Sequence, residues 1–515
     1  MSLLGLSNEL ITEITKLLHP SAIVDFALTC HRVFECASGS LSLHRSRQQE
    51  FRAHHDRHPM NIIDLVRMAI TSPNLLWYVR VLEFYGSRSS WEGWKTYSAY
   101  RCVREEPKVD LTSSGDEILA DLDLESLFQH YSLGKFLQDS MERIRKGDDE
   151  PLKTFLIASC PKVQKITWVA HLAENQPYSM LCNLISTYQP LPQTIWTPGL
   201  LSLRSISIGN CIEHVHPHDN LHPNLPDFCH LLLLPNLKSL NISVAGFGDS
   251  ELEYLNAQVP ARSSSVENIT LYIVDFDKTT IVAILERLRS LKSYRDFYLG
   301  AWINILEDIQ PWFSETLEEL KPEGSNEWNM RLYEDLATLS SFSKLRVFNI
   351  YVGDLIAEGM RVSDGLRQDI VEGDIQWHDF HSVLPNTTEE LIFGWPPRAY
   401  YDQLEKQNLH TQRFPEFFEH LNRFIQRRGS GKRNRGCLKK ICLEFLERRQ
   451  LVRCIGETEA DKLLGLVDEW SVRWGEAGVE VVTCAPRDQG AQPPLDGVLD
   501  LECRPPAPNY DSDDE

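Results

Sequence analysis

The sequence predicts an α/β protein in which a short helical module at the N-terminus precedes an irregular solenoid whose parallel strands lie on its concave face. Three observations predict this fold. The first 40 residues have helical periodicity, a short apolar pattern recurs ten times further along, and helical periodicity returns between its copies. The composition, with 42% hydrophobic and 24% charged residues among 515, is typical of a globular protein.

The N-terminal module is predicted from apolar residues at helical spacing. Pro20 ends a first amphipathic helix and suits the first turn of a second, while Ser7 can cap the first. Three helices of about 10 residues cannot bury so many apolar side chains against one another. The excess apolar surface therefore predicts a partner, inside or outside the chain.

Residues 3–34 resemble the F-box. Leu6 matches its opening leucine, Glu9 and Leu10 its Glu-Leu pair, Ile14 and Leu17 its spaced aliphatics, Ile23 and Phe26 the residues after its loop, and Cys30, Arg32 and Phe34 its close. Two positions depart from the pattern, because Ser7 replaces the usual proline and Phe34 stands where tryptophan is common.

The F-box resemblance implies docking on a Skp-type adaptor and, through it, on a cullin-RING ubiquitin ligase. The adaptor-binding residues would be Leu6, Leu10, Ile14, Leu17, Leu18, Ile23, Phe26, Val33 and Phe34. The alternative is that these helices are ordinary core of an α-helical protein.

Ten strands are predicted from a pattern of three apolar residues separated by two and then one other residue. The copies are Val79-Leu82-Phe84, Val163-Ile166-Trp168, Leu203-Ile206-Ile208, Leu237-Leu240-Ile242, Val266-Ile269-Leu271, Tyr294-Phe297-Leu299, Leu345-Phe348-Ile350 and Leu438-Ile441-Leu443, with weaker versions at Leu317-Leu320 and Leu391-Phe393. From Ile166 onward their middle residues lie 23 to 50 positions apart, against about 20–29 for leucine-rich repeats without added loops.

Two phrases, LPNLKSLNI and FSKLRVFNI, resemble the divergent leucine-rich repeats found behind F-boxes in many fungal proteins. The resemblance implies a leucine-rich-repeat-like solenoid in which stacked units share one core. An ordinary α/β domain with a parallel sheet remains the alternative, because its strands and helices alternate in the same way.

The predicted domains follow from these patterns. They are an F-box helical module at 1–40, a helical linker at 41–78, the solenoid at 79–485 with a helical insertion at about 86–150, and a flexible acidic tail at 486–515.

A substrate would be selected by residues that point outward between the apolar positions of the strands. The expected substrate-binding residues are Lys238, Glu267, Arg295, Asp296 and Arg346, a strip of mixed charge suited to a polar protein partner.

Catalysis and cofactors have no support in the sequence, and we expect neither an enzyme nor a cofactor. The basic phrase RRGSGKRNRG lacks the first glycine of a phosphate-binding loop, since Gln426 stands there, and Arg433 replaces the metal-binding Ser or Thr. No metal site is expected either. His214, His216, His218 and His222 read as a solvated loop.

The net charge of −21 argues against a general nucleic-acid binder or a protein adsorbed on anionic membranes. One basic block, at 423–440, stands out. It is read as a solvated loop, an import or acidic-partner site, or a nucleic-acid contact.

Scattered cysteines and the acidic Glu9 and Glu13 near the start favour an intracellular location, in the cytoplasm or nucleus.

The sequence therefore predicts a substrate-recognition subunit of a cullin-RING ubiquitin ligase, with no catalytic role of its own. The alternatives are a repeat-based interaction scaffold outside any ligase and, less favoured, a nucleic-acid-binding protein that uses the basic block.

Overall fold

A computed structural model describes most of the chain. The described residues are 5–58, 60–96, 115–120, 122–170, 178–188, 196–210, 228–246, 249–276, 278–297, 305–323, 336–351, 380–394, 409–429, 438–444 and 457–484. They fall in two compact units, called unit 1 up to Lys238 and unit 2 from Ser239. The predicted acidic tail at 486–515 lies outside the described residues.

Unit 1 begins with helices and continues as alternating strands and helices. Its helices are α1 (Asn8–Leu17), α2 (Pro20–Ala27), α3 (His31–Phe51), α4 (Met60–Thr71), α5 (Trp91–Thr96), α6 (Gly115–Ala120), α7 (Leu124–His130), α8 (Gly134–Arg145), α9 (Glu150–Ser159), α10 (Ser179–Tyr188) and α11 (Pro198–Ser202). Its strands are β1 (Ala53–His55), β2 (Val81–Tyr85), β3 (Lys165–Ala170) and β4 (Ser205–Asn210), and 3-10 turns span Pro73–Tyr78 and Phe228–Leu233.

Unit 2 repeats the alternation of strand and helix. Its strands are β5 (Ser239–Gly246), β6 (Asn268–Asp275), β7 (Ser293–Phe297), β8 (Glu319–Glu323), β9 (Val347–Tyr351), β10 (Glu390–Gly394), β11 (Lys440–Glu444) and β12 (Glu480–Cys484). Its helices are α12 (Asp249–Gln258), α13 (Lys278–Glu286), α14 (Ile305–Phe313), α15 (Phe380–Val383), α16 (Leu409–Gly429) and α17 (Glu457–Glu476), with a 3-10 turn at Leu336–Ser341.

Every strand pair within each unit is parallel and joins strands that are consecutive in sequence. In unit 1 the order is β1 to β4, and in unit 2 it is β5 to β12. Parallel neighbours require a crossover, and helices or 3-10 turns supply it. The predicted α/β class with parallel strands is confirmed, whereas the assignment to leucine-rich repeats stays a prediction.

All ten predicted strands are present, and two further strands were missed. Strand β1 lies inside the predicted helical linker at 41–78 and pairs Ala53 with Val81. Strand β12 pairs Val481 with Ile441. The sequence signal was weak at both, because β1 has only three residues, AHH, and β12 reads EVVTC without a buried third apolar residue.

One apolar residue from the middle of each strand aligns with its counterparts in the neighbouring strands. In unit 1 this middle column consists of Leu82, Ile166 and Ile206, and in unit 2 of Leu240, Ile269, Tyr294, Leu320, Phe348, Leu391, Ile441 and Val481. All of these residues except Val481 are buried.

The predicted phase of β7 was wrong by three residues. Pairing places Tyr294, not Phe297, opposite Ile269 and Leu320. The spacing from Ile269 to Tyr294 to Leu320 then becomes 25 and 26 residues, more even than the sequence pattern suggested.

This register also corrects the prediction for Asp296. Asp296 pairs with Leu271, which occupies a core position, and its side chain is only 1% exposed. The Tyr294 hydroxyl donates to Asp296 Oδ2 at 3.4 Å, and no described residue hydrogen-bonds to Oδ1. Burial raises the pKa of Asp296 well above its usual value, with the Tyr294 hydrogen bond opposing that shift. Asp296 therefore cannot serve as an outward substrate-binding residue.

The predicted insertion at about 86–150 begins and ends at a buried ionic network in unit 1. The backbone N–H of Arg88 donates to Asp149 Oδ1, and that of Asp149 donates to the Arg88 carbonyl, both at 3.0 Å. Arg88 Nη1 lies 2.6 Å from Asp149 Oδ2, and Lys153 Nζ lies 2.8 Å from Asp56 Oδ2. The four side chains are fully buried. They join both ends of the insertion to β1 and α9.

Opposite charges outweigh burial at Asp56. Burial alone would raise the pKa of Asp56, but Lys153 and Arg88 lower it below its usual value. Asp56 also accepts the Tyr85 N–H at 2.6 Å. The network is thus internally paired, and removing one member would leave a buried charge without compensation.

No helix in the described ranges is long and apolar enough to cross a membrane.

Replacing Asp296 by asparagine should stabilise unit 2 at neutral pH. The folded-state pKa of Asp296 is raised, so its stabilising contribution is complete below the unfolded pKa near 3.8 and is lost as pH rises towards the folded pKa. Urea unfolding at about pH 4.5 and about pH 7.5 should show that Asp296→Asn gains at least about 1 kcal/mol more at the higher pH. An identical difference at both values would contradict the buried, protonated carboxyl.

Two Lys→Met substitutions should differ sharply in their cost. Lys153→Met removes a buried partner of Asp56 and Asp149 and should lower the free energy of unfolding by about 3–5 kcal/mol. Lys146→Met breaks an exposed pair with Glu142, at 2.6 Å, and should cost below about 1 kcal/mol. Chemical denaturation of both variants measures the difference, and equal costs would count against the network.

Candidate docking surface and charged strand ends

The N-terminal helices are held together by caps and by one arginine. Ser7 caps α1 by accepting the Leu10 N–H at 3.4 Å, and Pro20 opens α2. Arg32, near the start of α3, donates to the Leu6 carbonyl at 2.6 Å and to Asn8 Oδ1 at 2.8 Å. The starts of α1 and α3 are thereby joined.

An inner stripe on each helix forms the core of this module. Thr12 Oγ1 donates to the Cys36 carbonyl at 3.3 Å, where α1 lies against α3. Thr15, in the same stripe, donates its hydroxyl to the Ile11 carbonyl at 2.8 Å. The buried residues of the inner stripe are Ile11, Thr15, Pro20, Ile23, Ala27, Val33 and Ala37.

A second apolar stripe faces away from that core. Leu17 is 86% exposed, Leu28 is 71% exposed and Leu10 is 53% exposed, while Val24 and Phe34 are also exposed. We call these five residues the docking stripe. Among the described residues, six of the eight exposed large hydrophobic side chains lie on α1, α2 and α3 or cap the end of α2, the sixth being Leu43. Such a concentration of exposed apolar side chains is typical of an interaction site.

The predicted adaptor-binding residues separate into three groups. Leu10, Leu17 and Phe34 are exposed. Four others, Leu6, Ile14, Leu18 and Phe26, are half-buried. Ile23 and Val33 belong to the inner core, so the structure does not present them to a partner.

Val24 and Leu28 were not among the predicted adaptor-binding residues. Val24 lies on α2 and Leu28 is the residue that caps its end, each one position after a buried residue, Ile23 or Ala27. That offset was the available signal, since i and i+4 residues share a helix face.

Helix α3 joins the docking stripe to the first strand of unit 1. It runs through residue 40, so the predicted module boundary falls inside a helix, and Arg52 alone separates it from β1. His44 Nδ1 lies 3.0 Å from the Tyr78 hydroxyl, and the His44 ring lies 5.7 Å from that of Trp77. Burial, followed by the charge of Arg80, lowers the pKa of His44. A neutral imidazole therefore packs in this joint at physiological pH.

A shallow groove of about 650 Å³ lies beside the docking stripe, between α1 and α3. Its lining is mainly polar or small, with Thr12 and Lys16 on one side and Cys36, Gly39 and Leu43 on the other. It shares no residue with the docking stripe.

In each unit, the residues that precede the strands from β1 to β11 form a row at the strands' amino-terminal ends, which we call the leading row. In unit 2 successive members are joined by backbone hydrogen bonds of 2.7–2.8 Å. Their charges alternate strictly in the order Glu267, Lys292, Glu318, Arg346, Glu389 and Lys439. Lys292 lies 2.7 Å from Glu267, and Glu389 lies 2.8 Å from Arg346 and 3.1 Å from Lys439.

Most of the predicted substrate-binding residues are therefore engaged within unit 2. Glu267 and Arg346 belong to the alternating leading row, and Arg295 lies 3.0 Å from Glu319 on the neighbouring strand. Asp296 is buried. Lys238 lies at the end of unit 1, where its N–H donates to the Arg204 carbonyl at 2.7 Å.

In unit 1 the leading row has a different character. Its members are Arg52, Arg80, Gln164, Arg204 and Lys238, joined by backbone hydrogen bonds of 2.7–2.9 Å. Four are cations and none is an acid. Sequence reasoning missed this row, because its members are separated by as many as 84 residues and only pairing of the strands brings them together.

The predicted basic block at 423–440 is not a single loop. Arg423, Arg427 and Arg428 lie on α16, residues 430–437 lie outside the described part, and Lys439 and Lys440 begin the next strand region. Lys440 lies 3.0 Å from Glu390, a cross-strand pair.

Metal ligands and relatives provide no further guide to function. The described residues contain no group of three or more His, Cys, Asp and Glu side chains able to hold a metal ion. The histidines from His214 to His222 lie outside the described ranges.

No protein-family model matches the chain, and a search of curated proteins finds no match.

Aspartate substitutions should distinguish the inner stripe from the docking stripe in the free protein. Ile11→Asp places a charge in the module core and should cost at least about 3 kcal/mol of stability. Leu17→Asp places the same charge in solvent and should change stability by about 0.5 kcal/mol or less. Thermal melting followed by circular dichroism tests this, and equal losses would show that Leu17 is covered in solution.

Proposed function

We propose that this chain is a non-enzymatic substrate receptor of a cullin-RING ubiquitin ligase. In this proposal α1, α2 and α3 act as an F-box that docks on a Skp-type adaptor. The strand and helix units that follow act as divergent leucine-rich repeats that capture a protein substrate. The ligase supplies all of the ubiquitin-transfer chemistry, and the receptor holds the substrate near it, in the cytoplasm or nucleus.

The observation that carries the proposal is the docking stripe. Leu10, Leu17 and Phe34 match positions of the F-box pattern and are exposed, although Ile11, Ile23 and Val33 beside them are buried. A helical module that needed its apolar residues only for its own core would not leave Leu17 at 86% exposure. A partner surface that covers the docking stripe would gain about 25 cal/mol for each Å² of apolar area buried.

The repeated units support the receptor half of the proposal. Stacked strand and helix units share a buried column of apolar residues, and repetition of the unit builds an extended surface from many short segments. The joint formed by α3, His44 and Tyr78 supports a fixed orientation between the docking stripe and the strands of unit 1. A fixed orientation would help a receptor, because the substrate must be held within reach of the ligase.

Adaptor retrieval tests the proposal directly. Affinity purification of the full chain should recover a Skp-type adaptor, and Leu10→Asp or Leu17→Asp should each weaken binding by at least about 2 kcal/mol, roughly 30-fold. The charge would be buried at the interface without a partner, although the free protein tolerates it.

A matched control separates docking from general surface effects. Val472→Asp replaces another apolar residue on a helix surface, 66% exposed on α17 of unit 2, and should leave adaptor retrieval unchanged. Absence of the adaptor from the wild-type sample, or undiminished retrieval with Leu17→Asp, would contradict the F-box assignment and favour a scaffold outside any ligase.

A further inference from the structure

The leading row of unit 1 is a basic strip on an acidic chain. The N–H of Arg80 donates to the Arg52 carbonyl at 2.9 Å, that of Gln164 to Arg80 at 2.8 Å, and that of Arg204 to Gln164 at 2.9 Å. Neighbouring parallel strands lie about 4.8 Å apart, so these residues are evenly spaced along one end of the strands.

Three arginines of this strip have no ion-pair partner among the residues that the structure describes. Within the described residues no ion pair involves Arg52, Arg80 or Arg204, although the whole chain has 73 acidic and 52 basic residues. Arg52 also lowers the pKa of Arg80, after the larger effect of burial. Adjacent like charges repel one another, and a bound anion would relieve that repulsion.

Backbone carbonyls hold two of these guanidinium groups in place. Arg80 Nη1 donates to the Trp77 carbonyl at 2.5 Å and to the Val79 carbonyl at 3.1 Å, and the guanidinium lies 4.9 Å from the centre of the Trp77 ring. Arg204 Nη1 donates to the Asn236 carbonyl at 3.1 Å. Carbonyls orient a cation without cancelling its charge, so both groups are fixed in position for an acidic ligand.

Unit 2 shows how the same row is neutralised when it serves only the fold. There Lys292 and Arg346 each stand between two acids and each pairs with one of them, and Lys439 at the end of the row pairs with Glu389. The leading row of unit 1 departs from this arrangement, although it uses the same backbone ladder. Its positive charge is therefore not required for strand pairing.

We propose that the leading row of unit 1 binds an extended, carboxylate-rich peptide segment of the protein substrate. That the peptide belongs to a substrate rests on the proposed receptor function, whereas binding of the peptide itself does not require the adaptor. Arg80 and Arg204 are two strands apart, about 10 Å, which is also the span of three residues in an extended chain. Acidic residues at positions i and i+3 of the segment would therefore meet these two arginines.

Peptide is favoured over nucleic acid as the ligand of this strip. A single-stranded nucleic acid needs exposed aromatic rings for stacking, and Trp77 is occupied by Arg80 on its face and by Tyr78 at 5.3 Å. A net charge of −21 would repel a long polyanion more strongly than a short acidic segment.

Peptide binding by the purified full chain tests the proposal without the adaptor. The probe is a fluorescein-labelled peptide of about eight residues with glutamate at every third position, measured by fluorescence anisotropy at about 50 mM salt. The wild-type chain should bind it, bind a lysine-substituted version at least about tenfold more weakly, and lose affinity as salt is raised.

The decisive variants reverse charge inside and outside the strip. Arg52→Glu with Arg204→Glu should weaken binding at least about tenfold. Arg289→Glu with Arg423→Glu, two exposed arginines of unit 2, makes the same change in net charge and should keep affinity within about twofold. Arg80 is left intact because its contacts with Trp77 also support the fold. Melting temperature confirms that both double variants are folded.

The outcomes separate this inference from the ligase proposal. Equal weakening by both double variants, no binding by the wild-type chain, or tighter binding of an oligouridylate than of the peptide would overturn the basic strip as an acidic-peptide site. Loss of peptide affinity only in Arg52→Glu with Arg204→Glu supports it. The same variant should retrieve the adaptor normally. Because the peptide measurement does not use the adaptor, failure of the wild type to retrieve it would contradict the ligase proposal and leave the peptide site standing.

Discussion

Alignment of one apolar residue per strand is the constraint on which the rest of the structure depends. Leu82, Ile166 and Ile206 in unit 1 are buried at equivalent positions, as are Leu240 and Ile269 in unit 2. A shift by one residue would turn every such side chain to the opposite face, so the register has essentially one solution. Once the middle column is set, the residue two positions later is also buried in β2 to β7, β10 and β11, and within each unit the leading row is placed at the strands' amino-terminal ends.

That constraint explains why similar sequence positions have different roles. Asp296 follows Tyr294 by two residues and is therefore buried, at the expense of a strongly raised carboxyl pKa. The leading rows are aligned by the same ladder in both units, yet one alternates in charge and the other is cationic. Alternation stabilises neighbouring strands through opposite charges, whereas a row of one sign opposes itself and is suited to an external anion.

The N-terminal helices solve a different packing problem. Helices α1 and α2 each have apolar residues on two faces, and α3 packs only against the inner face of each. The docking stripe stays exposed because so small a module has no further helix that could cover a second apolar face. Continuity of α3 into β1, with His44 and Tyr78 packed beside it, then connects that exposed surface to the strands.

The sequence by itself determined the α/β class, the ten strands with a strong apolar pattern and the helices of the N-terminal module, because these follow from local periodicity of 2.0 and 3.6 residues. Local pattern also misplaced β7, since Phe297 and Leu299 imitate the spacing that belongs to Tyr294 and Asp296. Only the tertiary structure decided which face of α1 is buried, whether Arg346 is paired, and that Arg52, Arg80 and Arg204 share one row. The physical reason is that burial and charge pairing depend on neighbours tens of residues away, and strand register is what chooses those neighbours.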